Sequence, residues 1–332
     1  MRRALFLFTV LGAACSGNAP VPGAADLAAP VASDLAQQPA VDMAGPQADL
    51  SGESAIPLGI GPIPLASGQE RTVCSRFKLP NTGAIDIVKI DAALAPGSHH
   101  LILYKSMATQ EKKDLYDCPA LDISGGDVPI YIAETQSNNA LPLPTGVAYH
   151  IDPGQMVRLE AHYINASPNA IMGMGEVHLT LGGPGTYQKA DIMFCGTVTD
   201  LDPQFMGMGV PPGAVTLKPG FYKVPDGIKV FGLTTHEHQR GTLMTVDKSS
   251  SSAPGTNLTM GTPFDNPPFQ IYGDKNLLTF APGEGFRWQC HYQNDSQNTY
   301  YFGQSAVDNE MCFFWAYYYP SVNHFISVEC IR

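Results

Sequence analysis

Short apolar stretches broken by glycine and proline run through the chain from about residue 56 to its end. The segment Ala84-Ile85-Asp86-Ile87-Val88-Lys89-Ile90 alternates apolar and polar side chains, the period of a half-buried strand. Further strands are predicted at 99–104, 155–164 and 175–181, then at 188–196, 213–224, 227–235, 241–246, 276–280, 285–293 and 311–319. Residues 105–145 read as irregular and turn-rich, and 249–261 as a polar loop. The 33 glycines and 28 prolines suit many short strands rather than long helices. Gly182-Gly183-Pro184-Gly185 reads as a junction between two groups of strands. The pattern predicts a mostly β protein of two tandem antiparallel β-sandwich domains, jelly-roll-like, over 56–185 and 186–332, with a cleft between them.

One internal echo supports two units of like topology. Residues 153–165, PGQMVRLEAHYIN, align without gaps on residues 282–294, PGEGFRWQCHYQN. The Pro-Gly, the arginine, the His-Tyr pair and the asparagine coincide.

The first 55 residues differ in kind. Arg2 and Arg3 precede an apolar run at 4–10, the form of a targeting segment. Leu11-Gly12-Ala13-Ala14-Cys15 resembles a bacterial lipobox, so residues 1–15 are expected to be a lipoprotein signal with Cys15 as the lipidated residue. Residues 16–55 are rich in Ala, Pro and Asp, repeat an Asp-Leu-Ala-like triplet every seven or eight residues, and hold too few large apolar side chains for a core. They are expected to be a disordered tether. No later stretch is long and apolar enough to span a bilayer, so membrane contact is expected through the lipid alone. The expected location is outside the cytoplasm, anchored at the cell envelope (the outer membrane, from Ser16 after the cysteine) or secreted.

A net charge of −11 argues against nucleic acid as a partner. The chain has seven cysteines, and with Cys15 set aside six remain: Cys74, Cys118, Cys195, Cys290, Cys312 and Cys330. An exported protein can pair them as three disulfides, but six cysteines allow fifteen pairings and their order decides nothing.

The candidate chemistry lies in histidines. His236 and His238, in FGLTTHEHQRG, stand two apart in a predicted strand and so share a face. His99 and His100, in PGSHHLILY, are neighbours, which in a regular strand face opposite ways; sharing one metal requires a bulge or a strand end. His162, in RLEAHYIN, is the third member of that group. Three imidazoles suit zinc or copper, whereas the thioether of Met311, in DNEMCFFW, would tip the His236/His238 group toward copper, because soft sulfur favours Cu(I).

In this order the motifs SHHLILY, VRLEAHYIN, VFGLTTHEHQRG and DNEMCFFWAYYYP resemble the copper type II, ascorbate-dependent monooxygenases, the family of dopamine β-monooxygenase and peptidylglycine α-hydroxylating monooxygenase. The likeness covers roughly residues 70–332. It implies an oxidoreductase with two copper ions per chain, hydroxylating a substrate C–H bond with dioxygen and a one-electron donor such as ascorbate. His99, His100 and His162 match the ligands of the electron-donating copper. His236, His238 and Met311 match those of the catalytic copper that meets dioxygen. The resemblance places the two metals in facing domains across a water-filled cleft, and implies the pairs Cys74–Cys118, Cys195–Cys330 and Cys290–Cys312. A second class of function open to the same ligands is a non-catalytic copper-binding surface lipoprotein for storage or trafficking.

Departures from the family narrow the substrate. Thr234 stands where the peptide-amidating enzymes have an arginine, and Phe313 and Trp315 where they have Asn and Tyr. A peptide precursor is therefore not expected. Phe313 and Trp315 suit an aromatic or apolar small molecule if they line the cleft, and are core residues otherwise. Asp308 and Glu310 read as solvated loop acids; His150, His178, His291 and His324 match no ligand position. The N-terminal reading has a direct check. Intact-mass analysis of membrane-extracted protein should give a chain beginning at a lipidated Cys15; a mature chain beginning elsewhere contradicts it.

Overall fold

The computed structural model describes residues 54–122, 125–134, 139–261, 264, 267–322 and 330–332. Cys15 and nearly all of the expected tether lie outside the described residues.

The described chain is built of strands. The first group opens with β1 (Ala55–Leu65), β2 (Glu70–Lys78), β3 (Ile85–Leu94) and β4 (Ser98–Ser106). It continues with β5 (Lys112–Asp117), β6 (Val128–Glu134), β7 (Asn139–Pro142) and β8 (Val147–Ile151). β9 (Met156–Ile164), β10 (Ile171–Leu181) and β11 (Gln188–Lys189) complete it. These strands form two sheets, β1-β10-β3-β8-β11 with β7 beside β3, and β5-β2-β9-β4-β6. Ile60, Ile90, Leu101, Leu159 and Val177 from both sheets share one core, which makes this half a sandwich.

The second group holds β12 (Asp191–Gly196), β13 (Gly213–Thr216), β14 (Gly220–Lys223), β15 (Lys229–Glu237) and β16 (Gly241–Ser249). β17 (Thr256–Gly261), β18 (Phe269–Ile271), β19 (Leu278–Thr279), β20 (Gly285–Asn294) and β21 (Cys312–Tyr319) follow. Its sheets are β12-β21-β15-β18 with β19 beside β15, and β13-β20-β16-β17 with β14 beside β20. Val230, Leu233, Met244, Phe286 and Trp288 belong to a second core between them. Pairing within the four sheets is antiparallel except between β8 and β11.

Several strands escape the alternation pattern. β1 carries Pro57, Pro62 and Pro64, and sits at a sheet edge, where proline is tolerated. β5, β6 and β7 lie in the stretch read as irregular, and β6 has Pro129 as its second residue. β17 lies in the stretch read as a polar loop, and is again an edge strand. The predicted strand at 213–224 is two, β13 and β14, both paired with β20.

The echo between 153–165 and 282–294 is structural. Both segments are a turn followed by a strand, β9 and β20. Each ends on an asparagine locked by the same turn. The Asn165 amide donates to the carbonyls of Leu65, Ala66 and Asn169, while its oxygen accepts from the Ser167 amide and hydroxyl. The Asn294 amide donates to Val210 and Asn298, while its oxygen accepts from the Ser296 amide and hydroxyl.

β21 joins the halves. All eight of its residues are buried, because both of its faces are covered. Cys312, Phe314, Ala316 and Tyr318 enter the second core. Phe313, Trp315, Tyr317 and Tyr319 belong to the first. Phe194 stacks on Phe313 and Trp315 with ring centroids 4.3 and 4.2 Å apart. The Tyr317 hydroxyl accepts from the Ile132 amide at 3.0 Å and donates to the Ile132 carbonyl at 3.2 Å, tying β21 to β6. Phe313 and Trp315 are thus core residues and line no cleft.

The cysteines pair as Cys74–Cys118, Cys195–Cys330 and Cys290–Cys312. Such bridges mark an extracellular or exported protein. The last of them joins the two sheets of the second sandwich, β20 to β21. The β21 junction should carry much of the stability. Trp315→Ala should cost about 3–5 kcal/mol in urea unfolding. Exposed Met172→Ala should stay within about 0.5 kcal/mol.

Candidate metal centre

The Pro96-Gly97 turn launches β4, and Gly97 takes a φ of +82°, a left-handed conformation that favours glycine. The β4–β9 register slips between Ser98 and His100. That bulge frees His99 from strict alternation, so both adjacent imidazoles reach one place. β9 brings His162 directly opposite His100. Ring centroids lie 5.1 Å apart for His99–His162 and His100–His162, and 5.2 Å for His99–His100.

β15 presents His236 and beyond its end His238, with rings 5.3 Å apart. The register against β21 pairs His236 with Phe313 and Glu237 with Cys312. Continued by one residue, it sets Met311 opposite His238, and opposed residues share a sheet face. Met311 is buried, and its carbonyl accepts from the Tyr292 hydroxyl at 2.8 Å. Met311 packs in the same core as Phe313 and Trp315, on the face turned to the first half.

The two histidine groups meet. The His99 ring lies 5.1 Å from His236 and 5.6 Å from His238, and His100 lies 5.6 Å from His236. No histidine of the five is more than 3% exposed. The expected water-filled separation is therefore corrected: the groups form one dry cluster. The cause is the aromatic face of β21, which buries itself on the first half and draws β15 with it.

Burial holds His99, His100 and His238 well below the ordinary imidazole range, and the neighbouring imidazoles add to the effect. Several buried ring nitrogens have no hydrogen-bond partner: Nε2 of His99 and His236, Nδ1 of His162, and both nitrogens of His100. Such orphans are costly in a dry interior unless something accepts their lone pairs. A metal ion does so. Donor atoms within 4.8 Å of one another occur in the sets His99/His100/His162, His99/His236/His238 and His100/Glu134/His236. The opposite nitrogens are held from outside, the usual arrangement for ligating histidines. His162 Nε2 lies 2.7 Å from Glu70, His236 Nδ1 3.2 Å from Glu134, and His238 Nδ1 3.2 Å from the Asn309 carbonyl. The residues fit a bound copper.

Glu70 and Glu134 lie in no motif, and Asn309, within DNEMCFFW, acts through its backbone carbonyl, so all three escape sequence reasoning. Phe264 does too; its ring lies 6.4 Å from His99. Glu310 corrects an expectation. It is fully buried, accepts from Arg240 N and Nη1, and is raised to about 7 by burial against the opposing pull of Arg240. Asp308 is exposed as expected. Glu237 points away from the cluster, and burial, then Glu310, raises it well above the carboxylate range. His150 pairs with Asp86, His178 lies near Glu176, and His291 bonds Thr216, none of them in the cluster. His324 is outside the described residues.

Residues 218–330 match the family model described as copper type II ascorbate-dependent monooxygenase, C-terminal domain. A human protein named putative DBH-like monooxygenase protein 2 is 29% identical over 103 residues, 30% of this chain and 20% of that protein. The matched stretch thus spans about a fifth of this relative's length. Among solved structures, one of infectious bursal disease virus Gx strain aligns over 82% of this chain and 73% of its own, at 9% identity and a TM-score of 0.15.

Glu160 lies beneath the cluster, its Oε1 3.6 Å from His100 Nε2. Burial raises it from 4.5 to about 7, against the lowering effects of Arg158, the Leu121 amide and Tyr104. Between those values the folded chain binds more protons than the unfolded one, so stability falls as pH rises. The stability of metal-free wild type relative to Glu160→Gln should therefore decline from about pH 4.5 to about 7, then level off, in denaturant titrations across pH. A difference flat throughout contradicts this.

Proposed function

We propose, from the match of residues 218–330 to the copper type II ascorbate-dependent monooxygenase family, that this chain is a copper monooxygenase hydroxylating a small-molecule C–H bond. The single observation that carries the reading is the cluster of five buried histidines, four of them with unpartnered ring nitrogens, brought together from both halves. His99, His100 and His162 would hold one copper, and His236, His238 and Met311 the other. Bound copper would supply one-electron redox chemistry and activation of dioxygen, with ascorbate or a similar donor as reductant.

The chain's own residues set the conditions for that chemistry. β4 and β9 fix three ring nitrogens in a dry pocket, and neutral imidazoles leave lone pairs free to bind. Met311 adds a soft ligand to one group only, which favours Cu(I) there and makes the two groups unlike. The apolar wall of Met311, Phe313 and Phe194 excludes water beside His236 and His238. The substrate is a small molecule, and its aromatic or apolar character would be read by groups such as Phe264 rather than by Phe313 or Trp315. Lipid attachment at Cys15 would hold the chain at the envelope.

Copper-loaded full-length protein, given ascorbate and a panel of small molecules, should yield a product heavier by one oxygen in mass spectrometry. Met311→Ile keeps similar bulk, so its stability cost should stay within about 1.5 kcal/mol. Its hydroxylation should collapse, and the copper–sulfur contribution in X-ray absorption of the reduced protein should vanish. Copper retained without oxygen transfer to any substrate would favour a storage role, and wild-type protein without a sulfur ligand would remove Met311 from the site.

A further inference from the structure

Two carboxylates at the cluster connect one half to the other. Glu134 ends β6 in the first half, and its two oxygens lie 3.2 and 3.3 Å from Nδ1 of His236 in the second. Glu70 opens β2 in the first half and lies 2.7 Å from Nε2 of His162. The same Glu70 carboxylate accepts from the Ser305 hydroxyl at 2.6 Å and the Ala306 amide at 2.7 Å, both in the second half. Four residues on, the loop supplies the Asn309 carbonyl to His238 Nδ1 at 3.2 Å.

The directions are fixed by chemistry. A carboxylate or a carbonyl oxygen only accepts, so the ring nitrogen facing it carries the hydrogen. His236 and His238 are then the Nδ1–H tautomer, and His162 is the Nε2–H tautomer. The nitrogens left bare are Nε2 of His236 and Nδ1 of His162, the same two atoms that are buried without partners. A first-half carboxylate thus sets a second-half ring. A second-half loop sets the carboxylate on a first-half ring.

We infer that Glu134 and Glu70 are reciprocal positioning residues: docking of the two halves fixes the tautomer and orientation of His236 and His162, so that neither ligand group is complete in a half alone. The inference rests on the reading of these histidines as copper ligands, but its first test needs no metal. Neither carboxylate touches reacting atoms; each acts through the ring it holds.

Metal-free full-length protein with ¹⁵N-labelled histidine should show His236 as Nδ1–H and His162 as Nε2–H in two-bond proton–nitrogen spectra. Glu134→Ala should release His236 into a mixture of tautomers and leave His162 unchanged. Glu134→Gln keeps an accepting oxygen and should restore the wild-type His236 signal. Ser305→Ala, in the second half, should loosen His162 in the first. In Cu(I) competition titrations, Glu134→Ala and Glu70→Ala should each weaken binding about 10–100-fold, with Glu134→Gln near wild type. His236 carrying its proton on Nε2, or on both nitrogens, overturns the inference without any variant having to fold. So do tautomers that ignore both alanine substitutions. Equal affinity loss in Glu134→Gln and Glu134→Ala, with His236 unchanged in the metal-free spectra, also overturns it, because Glu134 is then a ligand itself. Tautomers that respond as stated in a chain that retains no copper uphold the positioning roles and reject the copper function instead.

Discussion

Five imidazoles in a dry interior are the constraint on which this structure turns. Each gives up hydrogen bonds to water, and a buried polar nitrogen without a replacement is costly. The fold answers part of the demand, at His162, His236 and His238. Glu70, Glu134 and the Asn309 carbonyl each occupy one nitrogen of a ring. Ring nitrogens are left open at His99, His100, His162 and His236. At His99 and His100 protonation does not fill it, because burial and the neighbouring rings hold both well below the ordinary imidazole range. A cation that accepts lone pairs does.

What keeps the cluster dry is apolar packing some distance from it. β21 has two buried faces, and its odd-numbered side chains complete the core of the first half while its even-numbered ones complete the second. β15 pairs with β21 through most of its length, so the position of His236 and His238 follows from where Phe313, Trp315 and Tyr317 pack. The Cys290–Cys312 bridge fixes the start of β21 to β20, next to Met311. Site and scaffold are one object here. The aromatic stack that stabilises the fold also sets the distance between the two histidine groups.

Much of this was legible in the sequence, for reasons that differ by residue. His236 and His238 share a face because strands alternate. His99 and His100 needed a bulge, and the register slip beside them supplies it. The cysteine pairs followed from the resemblance, since spacing alone left fifteen choices. The closure of the two groups was not legible. It depends on β21 burying both faces, and an apolar run reads the same whether it covers one core or two. Glu70 and Glu134 were missed because a carboxylate that serves a distant ring leaves no local pattern; their partners lie 92 and 102 residues away. Glu310 looked like a loop acid because only the fold brings Arg240 over it.

The most direct test is a crystal structure of the copper-loaded chain, with anomalous scattering measured at the copper edge. Copper peaks are expected inside the histidine cluster, one held by His99, His100 and His162 and one by His236, His238 and Met311, with β21 still packed against the first half. Crystals that show no copper among these rings, or copper bound only at other residues, would contradict it.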